Sequence, residues 1–153
     1  MKRFVFGWIL IAAAGFLLVP PAVHAQGQRP QYKPLSNQEM SQAGTWDTWI
    51  QAFNALTGRQ RAEVVRRHVA LCLEAFPMTE QQRTLVREYS AKFVTDEAYS
   101  LTDPAKRAAL QGEMKPAMEN AKAVLGDELN ATIFYKKPPI SIIEAVKNDP
   151  AFK

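Results

Sequence analysis

The chain has 153 residues, a formal net charge of +4 and a single cysteine, Cys72. This charge excess is small for a nucleic-acid-binding protein, which usually carries a pronounced basic stripe, so we predict no nucleic-acid partner. A single cysteine excludes an intramolecular disulfide, and we therefore expect one small domain that is stabilised by the packing of its apolar core.

The first 25 residues have the order of a secretory signal peptide. Lys2 and Arg3 precede an uncharged run over residues 4–19, and two prolines separate that run from a small-residue site ending at Ala25. This order predicts cleavage before Gln26 and a secreted or periplasmic protein. An uncleaved membrane anchor is the alternative, although the run is short against the roughly 20 residues that a membrane-spanning helix needs. Cleavage would leave 17 basic and 15 acidic residues, a net charge of +2, and no membrane span.

The segment after the signal peptide predicts a disordered leader and then helices. Residues 26–35 are polar and rich in proline. Ser36 and Glu39 form a capping box, which predicts a helix that Gly58 would end. The apolar residues of this helix fall at spacings of three and four, on one stripe: Trp46, Trp49, Ile50, Phe53 and Leu56.

Two further capping boxes predict the second and third helices. Thr57 with Gln60 opens the second helix, and Thr79 with Gln82 opens the third. The second helix has an apolar stripe of Ala62, Val65, Val69, Cys72, Leu73 and Phe76. The stripe of the third consists of Leu85, Val86, Tyr89, Phe93 and Val94.

The remaining sequence predicts a fourth helix and a short last one. Pro104 follows a capping Asp103, and Pro116 lies inside the helix, where we expect a kink or a break. Gly126 either ends this helix or restarts it, and a Lys-Lys-Pro-Pro boundary follows at residues 136–139. Ser141 with Glu144 predicts a last capping box.

These patterns predict an all-α fold of four to five helices, arranged as a bundle or a curved helical hairpin. We see no sustained apolar–polar alternation and no hairpin turn, which argues against a sheet. The helical domain would span residues 36–137, and residues 138–153 would form a short C-terminal helix and tail.

Two pairs of side chains could hold a soft metal. His68 and Cys72 lie four residues apart, as do Met114 and Met118, and these side chains suit copper or zinc. A structural zinc wants four ligands, so the alternative is that these residues belong to the core or its border. If Cys72 were a nucleophile and His68 its base, the pair would lack a third residue to orient the base. We predict that the protein is not an enzyme and has no cofactor.

Four basic side chains and two tryptophans are candidates for contacting a partner protein. The basic cluster consists of Arg59, Arg61, Arg66 and Arg67. It is either a solvated helix face, partly balanced by Glu63, or a rim that binds anions or protein clients. Trp46 and Trp49 are either core residues or half-exposed anchors for a partner.

Two short boxes resemble those of a known family. Leu56-Thr57-Gly58-Arg59-Gln60 has the pattern Leu-Thr-x-x-Gln, and Met78-Thr79-Glu80-Gln81-Gln82 departs from it only at the first position. These boxes resemble those of the periplasmic Spy and CpxP family. The resemblance implies a curved helical homodimer that acts as an ATP-independent chaperone and holds unfolded clients on its concave face.

We therefore expect an exported helical protein that acts by binding other molecules. The first hypothesis is an envelope chaperone or stress-response protein, with the four arginines and two tryptophans contacting the clients. The alternatives are a metal-binding or metal-responsive envelope protein, and an accessory subunit of an envelope complex. An accessory subunit would expose a large apolar patch.

Overall fold

The computed structural model describes residues 31–153, and this part of the chain is all α-helical. Its helices are α1 (Asn37–Met40), α2 (Thr45–Asn54), α3 (Gly58–Ala75), α4 (Glu80–Phe93), α5 (Asp96–Ser100), α6 (Pro104–Leu125), α7 (Asp127–Asn130) and α8 (Ile140–Asn148). A π-helix, Ala131–Tyr135, continues α7, and a 3-10 helix, Pro150–Phe152, follows α8. The predicted all-α fold is confirmed.

The described residues contain one isolated antiparallel bridge, between Leu35 and Lys137, and no strand. Within residues 31–153 no helix combines the length and the apolar character that crossing a bilayer requires. The predicted signal peptide and the first five residues of the predicted leader, residues 26–30, lie outside the described residues.

Polar caps set the start of four helices as the sequence predicts. The hydroxyls of Ser36, Thr57 and Thr79 each accept a hydrogen bond from the backbone N–H three residues on. The Glu or Gln side chain at that position accepts a bond from the backbone N–H of the capping residue. Asp103 accepts from two backbone N–H groups at the start of α6, and Pro104 is the first helical residue. These bonds satisfy donors that a helix start would otherwise leave without partners.

The region predicted as the first helix is two helices in the structure. Gly44, between α1 and α2, has a φ of 80°, a left-handed conformation that glycine adopts without steric cost. Gly58 does not end α2, as we expected, but is the first residue of α3. A Cβ at Gly58 would lie 2.9 Å from the Cα of Ser100, so glycine is required by the close approach of α5 to α3.

The structure also bears on two further predicted details. The capping box at Ser141 and Glu144 does not form, because α8 already begins at Ile140, with Pro139 as an N-cap that makes no side-chain bond. At Pro116, where we expected a kink or a break, there is no break, since α6 is one continuous helix. Pro116 is exposed on α6.

α3 lies at the centre of the fold because two apolar clusters share it. The first cluster joins α1, α2, α3 and α8 and consists of Met40, Trp49, Leu56, Val64, Ile143 and Val146. The second joins α3, α4, α6 and the π-helix and consists of Val69, Cys72, Val86, Ala121, Leu125 and Ile133. The C-terminal helix is therefore packed into the core.

Residues 31–35, which we expected to be part of a disordered leader, pack against both clusters. Leu35 contacts the first cluster and Tyr32 the second. The backbone N–H of Leu35 donates to the carbonyl of Lys137 at 2.7 Å. The sequence did not predict this because the two partners are about a hundred residues apart in the chain.

Replacing Gly58 by alanine should destabilise the protein by about 1–3 kcal/mol, because the new methyl group would overlap the backbone of Ser100. Gly112 is the matched control: it lies within α6 and has no atom within 4 Å of its Cβ position. Gly112→Ala should therefore stabilise by about 0.5–1 kcal/mol, through the better helix propensity of alanine. Urea unfolding followed by circular dichroism measures both variants. Equal stabilisation by both would contradict the contact between α3 and α5.

Candidate functional site

A cavity of about 460 Å³ lies between α2, α3, α4, α6 and the π-helix. We call it the aromatic cavity, because nine of its lining residues are aromatic or methionine: Trp46, Trp49, Phe53, Tyr89, Phe93, Tyr99, Met114, Met118 and Phe134. Its volume falls within the roughly 300–1,000 Å³ of small-molecule sites.

The structure brings together residues that the sequence analysis assigned to different hypotheses. Trp46 and Trp49 were candidate partner anchors, and His68, Met114 and Met118 were candidate metal ligands; all five line the aromatic cavity. They reach it from α2, α3 and α6. The convergence makes them one candidate binding site.

The two tryptophans have different roles in the wall. Trp49 is buried, donates from Nε1 to the carbonyl of Pro138 at 2.9 Å, and stacks on Phe53 with 4.8 Å between ring centroids. Trp46 remains 48% exposed and also borders a second groove beside α1. Trp49 is therefore a fixed part of the wall, whereas Trp46 offers an apolar face to solvent.

His68 is buried, and both of its ring nitrogens have protein partners. Nε2 lies 3.0 Å from the carbonyl oxygen of Ile133, and Nδ1 lies 2.7 Å from the hydroxyl of Tyr32. A carbonyl only accepts hydrogen bonds, so Nε2 carries the proton and Nδ1 accepts from Tyr32. Burial lowers the pKa of His68, and the nearby cation of Lys137 lowers it further. The ring is therefore neutral at physiological pH.

Cys72 lies against the imidazole of His68 in a dry environment. Its Sγ is 3.8 Å from Nε2 and 3.9 Å from Nδ1, and the side chain is fully buried. Burial raises the pKa of the Cys72 thiol to about 12, so the thiol stays protonated and is a poor nucleophile and metal ligand. A metal at this pair would also have to displace Tyr32 or Ile133 from the imidazole. Within residues 31–153 no three His, Cys, Asp or Glu side chains are grouped to hold a metal.

All four predicted rim arginines connect elements of the fold, and Arg59 does so by pairing with Asp96 of α5 at 3.9 Å. Arg66 makes ion pairs with Glu63 at 3.0 Å and with Asp96, the first residue of α5, at 3.1 Å. Arg67 pairs with Glu63 at 2.9 Å and with Asp149, after α8, at 2.6 Å. Arg61 donates to the carbonyl of Tyr99 in α5 at 3.0 Å. The cluster is thus largely a clamp that holds α5 and the C-terminal segment on α3.

A shallow groove of about 640 Å³ between α3 and α4 retains part of the predicted rim. Arg59, Arg66 and Arg87 line it, and its apolar residues include Leu73 and Phe152. Arg59 and Arg87 are each 57% exposed, and the guanidinium of Arg59 lies 5.2 Å from the ring centroid of Phe152. We call this surface the arginine groove.

Sequence reasoning missed Lys136 and Lys137, which we interpreted only as part of a helix boundary. Both line the aromatic cavity, and the ammonium of Lys137 lies 5.6 Å from the centroid of the Trp49 ring. Burial lowers the pKa of Lys137. Neither lysine has a carboxylate within 4.0 Å among residues 31–153. Two adjacent lysines after an apolar segment were the available signal.

Comparison with known proteins finds no relative for this chain: no family model, no curated protein and no solved structure matches it. The resemblance to the Spy and CpxP family therefore stays a prediction. The geometry described above carries the functional argument.

The neutral state of His68 predicts a pH-dependent stability. Because its folded-state pKa lies below the ordinary 6.5, the unfolded chain binds a proton more readily, and stability is lost as pH falls through about 6.5. We expect the melting temperature to fall between about pH 7 and about pH 5. His68→Gln removes the titrating group, so its melting temperature should change less over this interval. The same decrease in both proteins would show that another group is responsible.

Proposed function

We propose that this protein is an exported, non-enzymatic binding protein that holds an apolar ligand in the aromatic cavity. The cavity itself carries the proposal, because it is large enough for a ligand and is walled by side chains from most of the helices. Export rests on the sequence pattern of residues 1–25.

The chemistry of the cavity wall favours binding over reaction. His68 is neutral, and its two ring nitrogens are hydrogen-bonded to the Tyr32 hydroxyl and the Ile133 carbonyl. Burial raises the pKa of Tyr89 to about 12 and also raises that of Tyr99, so both phenols stay protonated at physiological pH. These groups make a wall of low reactivity, and the burial of ligand surface, at about 25 cal/mol per Å², would supply the affinity.

Met114 and Met118 fit this function better than they fit a copper site. Both are partly buried in the C-terminal part of α6, where they line the cavity beside aromatic rings. The unbranched thioether side chain adapts to irregular shapes, and methionine is frequent on surfaces that accept varied apolar partners. The pair therefore gives one wall of the cavity the ability to adjust to its ligand.

The arginine groove supports a second candidate function, the chaperone expected from the sequence. Arg59 and Arg87 are exposed at its edge, beside apolar side chains such as Leu73 and Phe152. A groove of this kind suits weak contact with exposed apolar segments of unfolded clients that also carry acidic residues. Arg61 and Arg67 do not line it and would not take part directly.

An accessory-subunit function has less support from the geometry. The exposed large apolar side chains among the described residues are Trp46 and Tyr135. Both line a groove of about 510 Å³ beside α1. Two side chains form a smaller patch than the several hundred Å² typical of interaction surfaces.

The purified protein should bind the neutral fluorescent probe N-phenylnaphthylamine, with increased probe emission. Met118→Gln places a polar amide in the cavity wall and should weaken binding by about fivefold to tenfold, because part of the apolar contact is lost. Met78→Gln is the matched control, since Met78 packs on the second core cluster and does not line the cavity. Fluorescence titration measures the three affinities. Absence of probe binding to the wild-type protein would refute the proposed function.

The chaperone candidate predicts that near-equal amounts of the protein slow the aggregation of heat-unfolding malate dehydrogenase. The double variant Arg59→Gln, Arg87→Gln should lose most of this effect, because these arginines form the exposed edge of the arginine groove. Lys115→Gln removes the same kind of charge from an exposed site on α6 and should retain the effect. Light scattering follows the reaction. An unchanged aggregation rate with the wild-type protein would exclude this candidate.

A further inference from the structure

We infer that the ligand of the aromatic cavity is a single-chain anionic amphiphile of the fatty-acid class, whose carboxylate is bound by Lys136 and Lys137. The inference rests on the proposed function, because it specifies the chemistry of a ligand in that cavity. It is based on the distribution of charge around the cavity and on the surroundings of the two lysines.

The charges that line the aromatic cavity are all of one sign. Lys136 and Lys137 are the two ionised side chains of its lining, which contains no Asp or Glu. The other titratable groups of the lining, His68, Tyr89 and Tyr99, are neutral for the reasons given above. The charged side chains of the lining therefore favour an anionic ligand over a neutral or cationic one.

The position of Lys137 indicates where the anionic group would bind. Its side chain is half-buried and lines the cavity, and its ammonium lies 5.6 Å from the centroid of the Trp49 ring. Desolvation makes the charged form of this lysine costly, and a carboxylate at the same place would offset that cost with charge-assisted hydrogen bonds. Lys136, the adjacent residue, would supply a second cation.

The remainder of the cavity suits an alkyl chain. Apart from Asn54 and His68, its other lining side chains are aliphatic, aromatic or methionine, and they include Ile50, Phe53, Val65, Val69, Phe93, Met114 and Met118. A volume of about 460 Å³ lies in the lower half of the range for small-molecule sites, which fits one chain of medium length better than two. A ligand with a charged end and an apolar body matches both kinds of side chain in the lining, the two lysines and the apolar residues.

Competition between amphiphiles that share one chain and differ in head group tests the inference on the wild-type protein. Decanoate, decanol and decyltrimethylammonium are each titrated against bound N-phenylnaphthylamine at constant pH and low salt. We expect decanoate to displace the probe at a concentration at least about tenfold lower than decanol, and decyltrimethylammonium to be the weakest competitor. Equal displacement by decanoate and decanol, with the probe bound, would overturn the inference and leave the proposed function intact. Failure of the probe itself to bind would refute the proposed function.

Charge-removal variants then assign the effect to the two lysines. The double variant Lys136→Gln, Lys137→Gln should lose the preference for decanoate over decanol, with both amphiphiles titrated against the probe bound to the variant itself. Both backbone groups of the bridge between Lys137 and Leu35 remain in this variant, and a melting curve checks that it is folded. Lys115→Gln, which removes an exposed charge from α6, should keep the preference. A double variant that is folded and keeps the preference would exclude these lysines as the binding site of the carboxylate.

Discussion

The burial of α3 is the constraint on which the rest of the structure depends. This helix contributes Val64 to one apolar cluster and Val69 and Cys72 to the other, so neither cluster can form without it. The polar side chains of a helix surrounded in this way need hydrogen-bond or ionic partners. The arginines of α3 find them in acidic and carbonyl groups of neighbouring segments. Apolar packing and ion pairs therefore act on the same helix, and together they bring α5 and the C-terminal residues to it.

The aromatic cavity arises where the helices around α3 do not close completely. α6 contacts the other elements mainly through its second half, and residues 104–113 are almost entirely exposed. Met114 and Met118 lie where the exposed first half of α6 gives way to its packed second half. They line the cavity together with aromatic rings of α2 and α4. The π-helix has a related role, because its wider turn directs the Ile133 carbonyl to His68 and places Phe134 in the wall.

The sequence predicted the fold class and the helix starts well, because caps are local. Thr57, Thr79 and Asp103 act on backbone groups within three residues, so their effect can be read from short patterns. Gly58 was misinterpreted because the residue that requires a glycine there is Ser100, far away in the chain. Only individual residues of the site were predictable, because the residues that line the cavity are also far apart in the chain. Trp46, Trp49, His68, Met114 and Met118 were each identified, but the sequence did not show that one cavity joins them or that Lys136 and Lys137 border it.

The burial of Cys72 makes oxidation of its thiol depend on whether the chain is folded or unfolded. It is the only cysteine in the chain, and in the folded state its thiol is inaccessible and protonated. Unfolding exposes that thiol and brings its pKa back toward the ordinary value, so an unfolded copy can be oxidised and linked to a second copy, whereas a folded copy resists both reactions. In an oxidising compartment, a disulfide-linked dimer would therefore form only from chains in which Cys72 had been exposed by unfolding.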